Sequence, residues 1–218
     1  PDHDDVLNPR AFELFSQELS ENPNTLVIYS DEDKIDGSDK HFELYCKPDY
    51  SPELLLTQMY LCHFTCFRTR EVRAVGGFRS QFDGAQDFDL ALRLLPQLSE
   101  DNVLHVSRPL YHWRAWANST ALTIEAKPWA QEASARAQQD HLDRMSGGTV
   151  VASSVPGLNE AHPAVPSPSR VSVIIPTAGA ASDQGRFVDA AVASLREHES
   201  SVPFEITAVT TGEISPID

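Results

Sequence analysis

Apolar residues along this chain follow two rhythms. Short continuous runs mark buried strands, and residues three and four apart mark helices with an apolar face. Leu26-Val27-Ile28-Tyr29 is the first continuous run, and Val171 to Thr177 is a longer one of the parallel-sheet kind. Ala11, Phe12, Leu14, Phe15 and Leu19 keep helical spacing after Asn8-Pro9, a capping residue and a proline suited to the first turn. That helix is expected to end near Asn22-Pro23. Strands are expected over 41–46 and 62–67, with a short helix over 54–60 that starts at Ser51-Pro52-Glu53. Ser30 to Lys34 follows at the C-terminal end of the first strand, where ligands of open α/β sheets bind, and Asp36-Gly37-Ser38-Asp39 is a turn. Gly76-Gly77 gives a tight turn, and Gln86-Asp87 opens a helix whose leucines, 90, 92, 94 and 95, predict one buried face. Two short strands over 102–106 and 109–113 precede a polar, Ala-rich helix over 125–145.

The composition changes after that helix. Residues 146–169 are rich in Pro, Ser and Ala and predict a linker rather than a packed element. Beyond it, the strand at Val171–Thr177, a loop over 178–184, a helix face of Phe187, Ala190, Ala191 and Leu195, and a strand over 204–209 form a β-α-β unit. The expected organisation is an α/β domain over 1–145, a linker over 146–169 and the start of a second α/β domain over 170–218.

Charge narrows the partners. The 218 residues carry 32 acidic and 17 basic side chains, a net charge of −15. That excludes a basic nucleic-acid surface and a polybasic membrane contact, while leaving room for an acidic ligand screened by a metal ion. No apolar run approaches the roughly 18 residues of a membrane span. The three cysteines, 46, 62 and 66, lack zinc spacing and read as reduced thiols.

Candidate chemistry lies in three places. Asp2, Asp4 and Asp5 cluster just ahead of the first helix, where a hard cation would relieve their repulsion; a solvated acidic loop is the competing reading. Asp87 stands at a helix start, where the macrodipole favours a carboxylate able to accept a proton; plain helix capping is the competing reading. His112, Trp113 and Arg114 end a strand, offering an imidazole ligand and a bidentate phosphate donor, or simply packing.

Six stretches in order carry a resemblance: Asp2-His3-Asp4-Asp5 with Asn8-Pro9; Tyr29-Ser30-Asp31-Glu32-Asp33-Lys34; Lys47-Pro48-Asp49-Tyr50-Ser51; Val75-Gly76-Gly77-Phe78; Gln86-Asp87-Phe88-Asp89-Leu90-Ala91-Leu92-Arg93; and Leu110-Tyr111-His112-Trp113-Arg114 with Ser119-Thr120. Together they resemble the motifs of family 2 glycosyltransferases, of the bacterial surface-polysaccharide type that often carries two transferase domains in tandem. The match covers residues 1 to about 145, and the stretch from Val171 resembles the opening of a second such domain.

The resemblance implies a GT-A fold, a Rossmann-like α/β domain. It implies that Asp2, Asp4, Asp5 and His112 hold Mn²⁺ or Mg²⁺, and that Asp87 is the base that deprotonates an acceptor hydroxyl for inverting transfer. Asp31, Asp33, Gly76, Gly77, Gln86, Trp113 and Arg114 are implied to line the donor and acceptor sites. Gln86 departs from the family, where many members carry Glu. The implied partners are a nucleotide-diphosphate sugar and a growing glycan or lipid-linked acceptor. The implied place is the cytoplasm, with peripheral association at the inner face of the cell membrane. The family's nucleotide-binding units precede the metal motif, so this stretch alone is expected to be a fragment with little or no activity. A non-catalytic carbohydrate- or partner-binding module, or a metal-dependent hydrolase, remains the alternative.

Overall fold

The computed structural model describes residues 3–115, 128–145, 147–155, 158–166, 169–178, 180–182, 185–197 and 203–210. Asp2, Ser119 and Thr120 lie outside them. The chain divides into two compact units, 1–164 and 165–218.

In the first unit the order is β1 (Val6–Leu7), α1 (Ala11–Glu21), β2 (Val27–Ile35), β3 (His41–Tyr45), α2 (Pro52–Thr57), β4 (Thr65–Phe67), α3 (Thr69–Ala74), α4 (Gln86–Leu94), β5 (Val103–Arg114), α5 (Pro128–Arg144), β6 (Gly148–Ala152) and β7 (Asn159–Pro163). A mixed five-stranded sheet runs β1-β5-β2-β3, with β4 also paired to β2. The central pair, β2 and β5, is parallel, and the other pairings in this sheet are antiparallel.

The sheet is covered on both faces because β2 alternates apolar residues to each side. Ile28 packs with Ala11, Phe15, Phe64, Val106 and Tyr111. Val27 and Tyr29 pack with Leu55, Tyr60, Leu61, Ala91 and Val103. A third cluster joins Phe88 and Leu92 of α4 to Ala133 and Ala137 of α5.

Several elements differ from expectation. The first strand does not stop at Tyr29. It continues through the acidic residues to Ile35, because β5 and β3 flank it and satisfy its backbone. The two expected strands over 102–113 are one strand, β5, whose pairing with β2 shifts register around Asp31. Asn8 does not cap α1. Its side chain closes a turn onto Arg10 N–H at 3.0 Å, and the helix begins at Ala11.

α4 has no single buried face: every residue from Phe88 to Leu94 is buried, since other elements pack around the whole helix. Residues 148–163 are not a linker either. β6 and β7 form an antiparallel hairpin tied to α5 by Gln138, whose Oε1 accepts from Asn159 Nδ2 at 2.8 Å. Gln138 Nε2 also donates to the carbonyls of Leu56 and Thr57.

The second unit contains β8 (Val171–Thr177), β9 (Ala181–Ser182), β10 (Gly185–Arg186), α6 (Phe187–Glu197) and β11 (Phe204–Thr210). β8 and β11 pair in parallel around α6, as the pattern predicts, and the loop between β8 and α6 contains the short β9–β10 ladder.

Candidate functional site

The C-terminal half of β2 places three carboxylates in a row, Asp31, Glu32 and Asp33, all buried. A buried charge survives only when paired and hydrogen-bonded, and each of these three has a different partner set.

Asp31 Oδ1 accepts the Lys47 N–H at 2.9 Å and lies 2.8 Å from His105 Nε2. The other ring nitrogen of His105 is 3.0 Å from Asp49, and the ring stacks on Tyr29. Glu32 Oε2 accepts from Lys47 Nζ at 3.2 Å and from the His63 N–H at 2.9 Å. Burial pushes the Glu32 carboxyl up, but the His63 contacts and the Lys47 charge outweigh it and hold the group below its ordinary range. Burial lowers Lys47 in turn, against the pull of Glu32. Lys47 Nζ also donates to the carbonyls of Leu61, at 2.7 Å, and of His63.

Asp33 faces two imidazoles. Its Oδ1 is 2.6 Å from His112 Nδ1, and its Oδ2 is 2.9 Å from His41 Nδ1. The strands dictate this meeting: Asp33 and His112 are direct partners in the β2–β5 ladder, while Ile35 opposite His41 brings the hairpin neighbour across. Among the described residues this is the single group of three metal-type ligands whose donor atoms lie within 4.8 Å of one another. A cleft of about 320 Å³ opens beside it, lined by Glu32, Asp33, Lys34, Glu43, Tyr45 and Trp113.

The acidic stretch meets the same strand end. β1 pairs Val6 with His112, which sets Asp5 against β5. There Asp5 Oδ1 accepts the Arg114 N–H at 2.8 Å and Oδ2 accepts the Tyr111 hydroxyl. Both oxygens thus fasten the start of the chain to the sheet. Arg114 is engaged as well: its side chain donates to the carbonyls of Asp4 at 2.8 Å and Asp36 at 3.1 Å, and to Asp39 at 2.7 Å. Trp113 is half-buried, 6.0 Å from Lys34 Nζ and from the His63 ring.

Asp87 sits in the first turn of α4, two residues past the cap position, which Ala85 occupies. It is therefore not the capping residue; its Oδ1 accepts the adjacent Phe88 N–H at 2.8 Å. Exposed Gln86 closes the preceding turn by accepting the Gly84 N–H at 2.7 Å. Gly84 has φ +93° and abuts Trp129 of α5 so closely that a Cβ would stand 2.0 Å from the indole.

Half-buried Asp87 lies near enough to Cys62 to act on its thiol, as do Glu32 and Lys47. The nearby Cys62 thiol is pushed up to about 12, first by burial and then by the Glu32 and Asp87 carboxylates, against an opposing effect of Lys47. Gly76 and Gly77 adopt φ +90° and +69°. The carbonyls of Val75 and Gly77 each accept from Arg93 at 2.6 Å. Arg93 pairs with fully buried Asp89 at 2.7 Å, and Asp89 also binds Arg79. Burial raises Asp89, but the two guanidiniums outweigh it and hold the carboxyl below its ordinary range.

The structure thus gathers Asp31, Asp33, His112 and Trp113 at the paired ends of β2 and β5, while Asp87 stands on α4. It separates off Gly76 and Gly77, which belong to the Asp89–Arg93 clamp, and engages Asp5 with Tyr111 and the Arg114 N–H, and Arg114 with Asp39 and two backbone carbonyls. Sequence reasoning missed His41, Lys47, His63 and His105. For His41 a signal existed: the turn at residues 36–39 folds the chain back and sets His41 across from the end of the Asp33 strand.

No protein-family model matches the chain. Similar proteins do exist. An uncharacterised protein of Sinorhizobium fredii is 36% identical over 215 residues, 98% of this chain and 23% of that protein. The O-antigen biosynthesis protein of Myxococcus xanthus is 31% identical over 213 residues, 98% of this chain and 16% of that protein. The chondroitin synthase of Escherichia coli is 32% identical over 94 residues, 43% of this chain and 14% of that protein. The chain thus spans less than a quarter of the length of each of these relatives. No described helix is long and apolar enough to cross a membrane.

Proposed function

We propose that this chain is the acceptor-side part of a family 2, GT-A-type glycosyltransferase that builds a surface polysaccharide, followed by the opening of a second such domain. The observation that carries the reading is likeness along 98% of the chain to a protein named for O-antigen biosynthesis, joined to a strand end where carboxylates and imidazoles converge beside an open cleft. The parallel β2–β5 pair ends at that cleft, and ligands of open α/β sheets bind at the carboxyl ends of strands.

In this reading Asp87 is the base. It takes the proton of an acceptor hydroxyl as the hydroxyl oxygen attacks the anomeric carbon, the bond to the diphosphate breaks, and the configuration inverts. Its half-buried place in the first turn of α4 favours a carboxylate. Trp113 and Tyr45 offer flat apolar walls for a sugar ring, and Glu32 and Glu43 offer acceptors for its hydroxyls. The residues around His112 fit a divalent cation, since a carboxylate and imidazoles already face one another there. When bound, such a cation neutralises charge on the departing diphosphate. The donor is a nucleotide-diphosphate sugar, the acceptor a glycan or lipid-linked glycan, and the site of action the cytoplasm at the inner face of the membrane.

The test is turnover of nucleotide-diphosphate sugars by the full-length protein and its Asp87→Asn variant. Transfer that falls by a factor of about 10² or more in the variant, with nucleotide affinity kept, supports the reading. Unchanged transfer or the absence of any donor turnover across the panel overturns it in favour of a binding module.

A further inference from the structure

We infer that Asp33, His41 and His112 form a metal centre of the two-imidazole, one-carboxylate type, selective for a borderline transition-metal ion such as Zn²⁺ over Mg²⁺. The site stands on its own geometry and is tested by binding, apart from any sugar transfer.

Three observations converge. First, the ligand atoms are already assembled. Each oxygen of Asp33 lies at contact distance from one Nδ1, 2.6 Å for His112 and 2.9 Å for His41, and the three donors fall within 4.8 Å of one another. Ligands of one small cation sit about this far apart, since metal–nitrogen and metal–oxygen bonds are about 2.0–2.2 Å. Second, the frame is rigid where it needs to be. Asp33 and His112 are buried on neighbouring central strands, paired directly in the ladder. His41 is exposed and stands at the start of β3, with its ring edge-on to His112 at 4.7 Å between centroids. Two ligands are thus fixed by the sheet, and the third closes over them from the hairpin. Third, the site has an entrance, because Asp33 also lines the 320 Å³ cleft. A bound cation can therefore keep positions open to an oxygen ligand from outside.

The donor set decides the metal. Magnesium prefers oxygen ligands and water, whereas imidazole suits Zn²⁺, Fe²⁺, Ni²⁺ and Cu²⁺. Two imidazoles in a set of three tilt the site away from Mg²⁺. The acidic stretch is the competing location, but both oxygens of Asp5 are already held by Tyr111 and Arg114.

The experiment is isothermal titration of the chain with MnCl₂, ZnCl₂ and MgCl₂ separately, without nucleotide, on the parent and on His41→Ala, Asp4→Ala and His162→Ala. His162 is an exposed histidine of the β6–β7 hairpin paired with Glu160, remote in sequence from the site. His41 is exposed, so its removal leaves the fold intact, which circular dichroism verifies. Zn²⁺ is expected to bind with one-to-one stoichiometry, Mg²⁺ at least about tenfold more weakly and Mn²⁺ between the two. His41→Ala is expected to lose tenfold or more in affinity, and His162→Ala to match the parent. Equal affinity in His41→Ala, equal binding of Mg²⁺, loss in Asp4→Ala alone, or no binding of any ion overturns the proposal.

Discussion

Asp89 and Asp33 are both buried carboxylates gripped by two nitrogen bases, yet they sit in opposite chemical situations. Asp89, inside α4, is held by Arg79 and Arg93. Asp33, on β2, is held by His41 and His112. A guanidinium cannot give up its proton, so the Asp89 cluster has one state and serves only to join parts. An imidazole can both donate and accept, so the Asp33 cluster keeps donor atoms that a cation could share. The same carboxylate motif becomes architecture in one place and addressable chemistry in the other.

The sharpest way to break the comparison is to remove charge from each aspartate in turn. Asp89→Asn is expected to destabilise the chain by about 3 kcal/mol, read from the urea midpoint, because it leaves buried Arg93 and half-buried Arg79 facing an amide that itself donates. Asp33→Asn is expected to cost about 1 kcal/mol, since an imidazole can shift its tautomer and accept from the new amide. Equal losses at the two positions would erase the distinction.

Acid titration sharpens it further. Burial lowers His141, whose Nδ1 is 2.9 Å from the Leu92 carbonyl. The unfolded chain takes up that proton near pH 6.5 and the folded chain resists it, so stability falls slightly as pH drops from about 7 to 5. Asp89 and Glu32 are shifted below their unfolded values. Their contribution is complete above about pH 4 and is lost as pH falls through the folded values. Urea midpoints between pH 8 and 3 are expected to show a shallow decline followed by a steep one, the steep part shrinking in Asp89→Asn.

How much of this was legible in the sequence varies by physical cause. Local patterns read well: Val27 to Tyr29 gave a buried strand, Asp87 a helix start, and Val171–Thr177 with 204–209 a parallel pair. The acidic half of β2 is not legible as strand because consecutive charges argue against burial. What reverses that argument is distant: His63, His105 and His112 lie 31, 74 and 79 positions from the carboxylates they meet. The stretch over 148–163 read as linker from its Pro and Ser content, whereas Gln138 and Asn159 anchor it as a hairpin. Of the candidate site, His112 and Asp33 were named separately, and only the strand register joined them to each other and to His41.

Arg93 has a mechanical consequence. It donates to the carbonyls on either side of Gly76 from a point six residues beyond Asp87 along α4, roughly 9 Å of helix rise. Two glycines at positive φ would ordinarily make a hinge. Here the turn is latched to the helix that carries Asp87, and swinging it outward would strand a buried guanidinium. Loop and helix are therefore tied as one piece, and the two glycines supply a backbone shape rather than a pivot.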